Sequence, residues 1–244
     1  MKRTLLLFDV DGTLTKPRCM VTNALYNLLL QLKKEKGVSL GIVGGSDLSK
    51  QKEQLGERFM RDFEYVFSEN GLVYYKNNEL QHEGSFATAL GEDRLQTLMN
   101  ESMRHFADVR LPVKRGTFFE YRKGLLNVSP CGRGVSQEER DAFEEYDSVH
   151  HIRKKYVELM NTLFGTWDLN FAIGGQISVD IYPKGWDKTY CLQFIPDDYT
   201  IHFFGDKTDV GGNDHELYEH PRTVGHKVAN PDDTMRILQD MYNL

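Results

Sequence analysis

The chain has 244 residues, of which 40% are hydrophobic and 27% charged, values ordinary for one large or two small globular domains. Its formal net charge of −6 argues against nucleic-acid binding, which usually requires a basic surface. Cys19, Cys131 and Cys191 form no Cys-x-x-Cys pair, so neither a structural zinc site nor a redox dithiol is expected. The apolar run before Asp9 is too short for a signal peptide or a membrane span, so we expect a cytoplasmic protein without membrane association.

The first third of the chain alternates strand and helix patterns. The apolar run at residues 5–8 predicts a buried strand, and leucines at helical spacing predict a helix over 20–36, ended by Gly37. A second strand is predicted at Ser39–Val43, followed by a charged helix that extends to Gly56. This alternation is typical of a parallel sheet with crossover helices.

The pattern changes after about residue 81. Two more strands, at 63–67 and 72–75, and a hairpin turn at Asn77-Asn78 precede the change. Two helices and two pairs of strand-like runs follow, which is typical of helices against an antiparallel sheet. A strand at 200–204 and a C-terminal helix then resume the first pattern. We therefore predict an α/β fold, in which residues 1–81 and 187–244 form a Rossmann-like parallel-sheet core and residues 82–186 form an inserted α+β cap.

Acidic and glycine-rich segments follow the predicted parallel strands. Asp9 lies at the carboxyl end of the first strand, where chemistry collects in open parallel sheets, and Asp11 follows two residues on. The two acids suit an aspartyl nucleophile and a proton-transfer group. Gly44-Gly45-Ser46-Asp47 opens a helix, whose free amides favour phosphate, although an ordinary helix cap explains this loop equally well. Asp206 follows the late strand and can complete an oxygen site for Mg²⁺ opposite Asp9.

This order of motifs resembles the haloacid dehalogenase-like (HAD) superfamily of phosphotransferases. Within it, the chain is similar to the eukaryotic phosphomannomutase family from about residue 4 to the C terminus. The segments that carry the resemblance are 9–15 (DVDGTLT), 43–47 (VGGSD), 127–130 (NVSP), 174–178 (GGQIS), 185–188 (GWDK), 205–208 (GDKT) and 211–216 (GGNDHE).

The resemblance implies roles for residues of the core. Asp9 would be the nucleophile that becomes an aspartyl phosphate, Asp11 the general acid/base, and Lys188 the group that steadies the transferred phosphate. Mg²⁺ would be held by Asp9, the backbone carbonyl of Asp11 and Asp206. The remaining residues of this centre would be Ser46 for the phosphate and, as support, Gly45, Asn213 and Asp214.

A mutase must also hold the phosphate that does not react, release the bisphosphate intermediate and bind it again in reverse. Planar arginine side chains suit that task. The family's arginines for this phosphate match Arg18, Arg122, Arg133 and Arg140. Taken singly, each also fits a surface salt bridge, but three of them lie between residues 122 and 140 of an acidic chain.

The resemblance also implies a sugar site and a second cation. Ser178 and Asp180 alternate with apolar residues, which places them on one face of a predicted strand. They match positions that bind the sugar, and the alternative is the solvent face of that strand. The second cation would lie at Tyr218, His220 and Thr223, although His220 stands where an acid is common.

Together these matches imply a phosphomannomutase that interconverts D-mannose 6-phosphate and D-mannose 1-phosphate. The reaction would pass through an aspartyl phosphate and a hexose 1,6-bisphosphate, with glucose or mannose 1,6-bisphosphate as activator. The product would supply GDP-mannose synthesis, glucose phosphates could also react, and a homodimer would form through the cap. The alternatives are a HAD-type sugar phosphatase and a non-catalytic sugar-phosphate-binding protein, and intact Asp9, Asp11, Lys188 and Asp206 argue against the second.

Overall fold

The computed structural model describes residues 2–16 and 19–244, and the chain divides into two compact units. The main unit comprises the residues up to Glu83 together with Gly185–Leu244. The inserted unit is Gly84–Lys184. The sequence analysis placed the two junctions at 81/82 and 186/187.

The described residues form β-strands, α-helices and 3₁₀ helices. The strands are β1 (Arg3–Phe8), β2 (Ser39–Val43), β3 (Tyr65–Ser68), β4 (Val73–Lys76), β5 (Glu79–Glu83), β6 (Phe119–Tyr121), β7 (Leu126–Val128), β8 (Leu169–Gly174), β9 (Ser178–Pro183), β10 (Tyr199–Gly205) and β11 (Thr223–Lys227). The α-helices are α1 (Asn23–Lys36), α2 (Leu48–Leu55), α3 (Phe59–Asp62), α4 (Phe86–Leu90), α5 (Glu92–Asp108), α6 (Gln137–His150), α7 (Ile152–Phe164), α8 (His215–Tyr218) and α9 (Pro231–Tyr242). Two 3₁₀ helices are Glu69–Gly71 and Lys188–Phe194. Within the described ranges, no helix is both long and apolar enough to cross a membrane.

The main unit is built on a seven-stranded sheet of order β11-β10-β1-β2-β3-β4-β5. The first five of these strands are parallel, and β4 and β5 extend the sheet as an antiparallel hairpin. β1 lies between β10 and β2, and its last four residues are fully buried, which explains why its apolar run is continuous rather than alternating. The carboxyl ends of β1, β2 and β10 therefore lie at one edge of the sheet.

Helix ends in the main unit follow their capping residues. The side chain of Thr22 accepts a hydrogen bond from the amide of Leu25, so α1 begins at Asn23 rather than at residue 20, where the leucine spacing placed it. Gly37 ends α1 in the left-handed conformation, as predicted. Asn230 caps α9, which has Pro231 in its first turn.

The inserted unit has its own four-stranded antiparallel sheet of order β6-β7-β9-β8. Helices α5 and α7 contact each other through Phe106 and Tyr156, whose ring centroids are 4.8 Å apart. α6 begins at a capping box formed by Ser136 and Glu139, the spacing seen in the sequence. With the parallel sheet of the main unit, this second sheet confirms the predicted α/β fold.

Two edge strands and several short helices were not predicted. β5 and β11 are mostly polar and at least partly exposed, because each lies at an edge of the seven-stranded sheet. They therefore lack the apolar run that identifies a buried strand. The helices α3, α4 and α8 span only four or five residues, too few for a helical period to show.

Candidate active site

Three carboxylates converge at the carboxyl edge of the parallel sheet. Asp9 directly follows β1, Asp206 directly follows β10, and Asp214 lies in the loop before α8; one oxygen from each lies within 4.8 Å of the other two. Gly12 has a φ of +89°, and a Cβ there would lie 2.3 Å from Oδ2 of Asp206. Only glycine therefore allows the first loop to approach Asp206 so closely.

Lys188 lies between two of these carboxylates and is almost completely buried. Its ammonium group donates to Oδ1 of Asp9 and, over 2.5 Å, to Oδ1 of Asp214. The other oxygen of Asp214 accepts from the backbone amide of Lys207, 2.9 Å away. Asp214 is thereby fixed by hydrogen bonds on both oxygens and holds Lys188 against Asp9.

Burial and the neighbouring charges set the protonation states of Asp9 and Lys188. Burial raises the pKa of Asp9 to about 6, with a further upward contribution from Asp214, although the positive charge of Lys188 opposes the shift. Burial acts to lower the pKa of Lys188, but the charges of Asp9 and Asp214 outweigh it and hold that pKa above its usual value. Lys188 is thus a permanent cation beside Asp9.

The carboxylates fit a divalent cation. Oδ1 of Asp206 is buried and accepts no hydrogen bond from the residues that the structure describes. Burial and the charge of Asp214 also raise the pKa of Asp206, and the positive charges of Lys207 and Lys188 offset this only in part. Asp9 and Asp206 oxygens form the kind of oxygen-rich site that Mg²⁺ prefers, with phosphate and water completing the shell. Asp214, which the sequence analysis kept as support, belongs to the same cluster.

The side chain of Asp11 is held by helix α2. Nζ of Lys50 donates to Oδ2 of Asp11 over 2.9 Å, and Nε2 of Gln54 donates to Oδ1 over 2.7 Å. Sequence reasoning missed both partners. The signal was present, because residues four apart on a helix share one face, and this helix begins at the end of the loop around Ser46.

A cavity of about 120 Å³ lies at this edge of the main unit. Its lining includes Asp9, Asp11, Gly45, Ser46, Lys207 and Asn213. The carbonyl of Ser46 accepts from the amide of Glu69, which fixes the loop, and Asp47 caps α2 by accepting from the amide of Lys50. The loop amides and Lys207 give this carboxylate-lined cavity the positive partners that a phosphate needs.

The inserted unit brings the predicted arginines together. Arg122 and Arg133 both pair with Oε2 of Glu120, at 2.5 and 3.1 Å. Arg140 donates to the carbonyl of Arg133 over 3.3 Å. The fourth predicted arginine, Arg18, lies outside the described residues.

The predicted sugar residues lie on β9. Asp180 accepts from Nδ2 of Asn127 over 2.6 Å, and Ser178 donates to the carbonyl of Gly174 over 3.0 Å. Oδ1 of Asn127 also accepts from Arg133, over 2.5 Å, so one side-chain amide joins Asp180 to Arg133. The sequence places Asn127 in the segment 127–130 and predicts no role for it.

The loop predicted to hold a second cation is closed by its own hydrogen bonds. The Thr223 hydroxyl is within hydrogen-bonding distance of two carbonyls, that of Leu217 at 2.6 Å and that of His220 at 2.9 Å. Nδ1 of His220 accepts from the amide of Arg222. Among the described residues, the cluster of three or more acidic, histidine or cysteine ligands is the one at Asp9, not one in this loop. The second cation at Tyr218, His220 and Thr223 stays a prediction.

The parallel sheet, the carboxylates at its edge and the buried lysine define a HAD-like phosphotransferase. Solved structures with this fold include trehalose-6-phosphate phosphatase from Aspergillus fumigatus, with a TM-score of 0.65 and 15% identity, covering 100% of this chain and 94% of that one. IMP-nucleotidase from Plasmodium falciparum gives a TM-score of 0.59 at 17% identity, covering 99% of this chain and 67% of that one. At these identities the likeness concerns the fold alone.

The sequence comparisons define the family more closely. A family model described as eukaryotic phosphomannomutase matches residues 25–244. Proteins named phosphomannomutase are similar over nearly the whole length. The relative from Galdieria sulphuraria is 54% identical, covering 99% of this chain and 95% of that protein, and the one from Dendrobium officinale is 55% identical, covering 96% and 92%. The chain belongs to the eukaryotic phosphomannomutase family and is an isomerase.

Proposed function

We propose that this enzyme interconverts D-mannose 6-phosphate and D-mannose 1-phosphate through an aspartyl phosphate on Asp9. The observation that carries the proposal is the buried contact between Lys188 and Asp9, beside a cavity lined by Asp11 and Ser46. An aspartate that attacks phosphorus must be ionised, and the adjacent ammonium favours the ionised form. The same cation offsets the negative charge that builds up as phosphate approaches a carboxylate.

In the proposed reaction, the phosphorylated enzyme first meets a hexose monophosphate. Asp11 takes the proton of the free hydroxyl, that oxygen attacks phosphorus, and the bond between phosphorus and Asp9 breaks. The resulting hexose 1,6-bisphosphate turns round, Asp9 attacks its other phosphate, and Asp11 returns the proton to the departing sugar oxygen. A glucose or mannose 1,6-bisphosphate activator supplies the first phosphoryl group, so no free phosphate is released.

Other residues orient the substrate. Gly45 and Ser46 contribute loop amides and a hydroxyl to the reacting phosphate, and Asn213 lines the same cavity. Arg122, Arg133 and Arg140, with Arg18, hold the phosphate that does not react. Ser178 and Asp180 bind sugar hydroxyls. Because mannose and glucose differ in the orientation of one hydroxyl, we expect glucose phosphates to react as well.

Mg²⁺ would be held by Asp9, Asp206 and the carbonyl of Asp11, with Asp214 supporting through Lys188. When bound, it would neutralise phosphate oxygens and so assist attack at phosphorus.

In the same proposal the inserted unit acts as the substrate-specificity cap, and the enzyme works in the cytoplasm as a homodimer formed through this unit. Its product would supply GDP-mannose synthesis.

Removal of divalent cations should abolish the mutase activity, and added Mg²⁺ should restore it. Asp206→Asn should raise the Mg²⁺ concentration needed for half-maximal activity, because it removes one anionic ligand, whereas Asp209→Asn, in an exposed pair with Lys227, should not. The proton on Asp9 competes with the cation, so apparent affinity should weaken as the pH falls below about 6, the pKa of Asp9. Full activity after chelation would contradict the metal requirement.

Substitution of the arginines separates a mutase from a sugar phosphatase with the same core. Each charge-assisted contact contributes about 1.5–3 kcal/mol, so Arg133→Ala and Arg140→Ala should each lower kcat/KM by roughly ten- to a hundredfold. Asp9 would still be phosphorylated, but weaker binding would let more phosphoenzyme meet water. The ratio of free phosphate to isomer should therefore rise.

Arg104 offers a matched control for these arginines, since it forms an exposed ion pair with Glu101 elsewhere in the inserted unit. Arg104→Ala should keep the wild-type kinetics and the wild-type phosphate ratio. Wild-type behaviour of both Arg133→Ala and Arg140→Ala on mannose 1-phosphate would show that those arginines do not bind substrate.

A further inference from the structure

The arginines assigned to the non-reacting phosphate already have an anionic partner. Oε2 of Glu120 accepts from NH2 and Nε of Arg122, at 2.5 and 3.1 Å, and lies 3.1 Å from Nε of Arg133. Two guanidinium groups thus share one carboxylate oxygen. Glu120 therefore reduces the positive charge that an incoming phosphate would meet.

Glu120 is also continuous with the sugar-binding residues. On the sheet of the inserted unit it is opposite Asn127, which is opposite Asp180, so the three side chains form a row on one face. Asn127 accepts from Arg133 and donates to Asp180. A single network of polar contacts therefore runs from Glu120 through Arg133 and Asn127 to Asp180.

The ion pairs of Glu120 can be exchanged for a phosphate. The side chains of Glu120 and Arg122 are 39% and 44% exposed, and exposed ion pairs contribute little to stability. A phosphate group offers more charge and three oxygens, to which arginines bind strongly and often through two hydrogen bonds. A phosphate can therefore replace Glu120, but its net affinity is lowered by the contacts that it displaces.

We propose that Glu120 competes with phosphate for Arg122 and Arg133, and so limits how tightly the arginine cluster (Arg122, Arg133 and Arg140) holds the non-reacting phosphate. The inference rests on the proposed function of these arginines. Competition by Glu120 would help the enzyme, because the bisphosphate intermediate of the proposed reaction must leave the arginine cluster in order to turn round. Each time the phosphate leaves, Glu120 takes its place.

Binding of mannose 6-phosphate to the full chain tests this role, with all variants made in an Asp9→Asn background to prevent turnover. Glu120→Gln keeps the size of the side chain and removes its charge, so the Kd from calorimetry should fall about two- to fivefold, the range of an exposed ion pair. Glu120→Ala removes the same charge and should also tighten binding. Glu101→Gln removes an equal charge from the exposed pair with Arg104 and should leave the Kd unchanged.

A second readout comes from turnover in the enzyme that retains Asp9. There, Glu120→Gln should lower KM without raising kcat, as expected when substrate and product are both held more tightly. Unchanged or weaker binding in both Glu120 variants would overturn the proposal.

Arg133→Ala shows whether a negative result with the Glu120 variants concerns Glu120 alone or the proposed function of the arginines. If Arg133→Ala weakens binding while the Glu120 variants do not tighten it, the arginines bind phosphate and only the role of Glu120 is wrong. If Arg133→Ala leaves the Kd unchanged, the cluster does not bind the phosphate and the assignment of the arginines fails with it.

Discussion

Asp9→Asn should reduce mutase turnover to less than about 0.1% of the wild-type rate, because the amide keeps the shape of the side chain but cannot attack phosphorus. The carboxylate it replaces is buried against Lys188 at the end of β1. The variant should also fail to form a phosphoenzyme when mixed with hexose 1,6-bisphosphate. Acid-quenched intact-mass analysis measures this directly, since an aspartyl phosphate survives acid and is removed by base.

Asp198→Asn is the control for this substitution. Asp198 also belongs to the main unit, but it lies at the surface in an ion pair with Arg3. We expect normal turnover and normal phosphorylation of that variant. Near-normal activity of Asp9→Asn, or a phosphoenzyme of unchanged amount, would rule out covalent catalysis through this residue.

Lys188→Met should abolish turnover and lower the free energy of unfolding by about 3–5 kcal/mol, the cost of leaving buried charges without their partner. The methionine side chain is similar in length, so the space is filled, but Asp9 and Asp214 would face each other without a cation. Denaturant-induced unfolding measures the stability loss. Lys227→Met removes an exposed pair with Asp209 and should change stability by less than about 1 kcal/mol.

The destabilisation by Lys188→Met should depend on pH with a defined sign. Asp9 already has a pKa raised to about 6 with Lys188 present, and removal of the cation should raise it further. A folded-state pKa above the unfolded value means that stability is retained at low pH and lost as the pH rises through the folded-state value. The variant should therefore be closest to wild type near pH 5 and furthest from it near pH 8, and a pH-independent difference would contradict the ion-pair explanation.

The predictable parts of the fold were those in which burial leaves a pattern in the sequence. β1 is buried on both faces, so its apolar run marked the strand and placed Asp9 at its carboxyl end. The capping box at Ser136 likewise marked the start of α6. β5 and β11 lie at sheet edges and have mixed composition, so their pairing depends on neighbours distant in sequence.

In the candidate active site, too, the residues marked by a local sequence pattern were predictable, and the contacts between distant segments were not. Asp9 and Asp206 follow recognisable strands, and resemblance to a family added Lys188. By contrast, the four-residue spacing of Lys50 and Gln54 places them on one face of α2, but their contacts with Asp11 depend on how α2 lies beside the first loop. The pairing of Glu120 with Arg133 depends on the conformation of the turn after β7, and its pairing with Arg122 on the turn between β6 and β7. A charged residue on a partly exposed strand gives no sign of either contact in the sequence.

Phosphorus NMR of mannose 1-phosphate with the enzyme, Mg²⁺ and a catalytic amount of glucose 1,6-bisphosphate tests the central proposal most directly. We expect mannose 6-phosphate to accumulate to equilibrium, total sugar phosphate to remain constant and no inorganic phosphate to appear at a comparable rate. Omitting the bisphosphate should suppress the reaction, because Asp9 then lacks its first phosphoryl group. Release of one inorganic phosphate for each mannose 1-phosphate consumed, with no dependence on bisphosphate, would show a phosphatase and contradict the proposed mutase reaction.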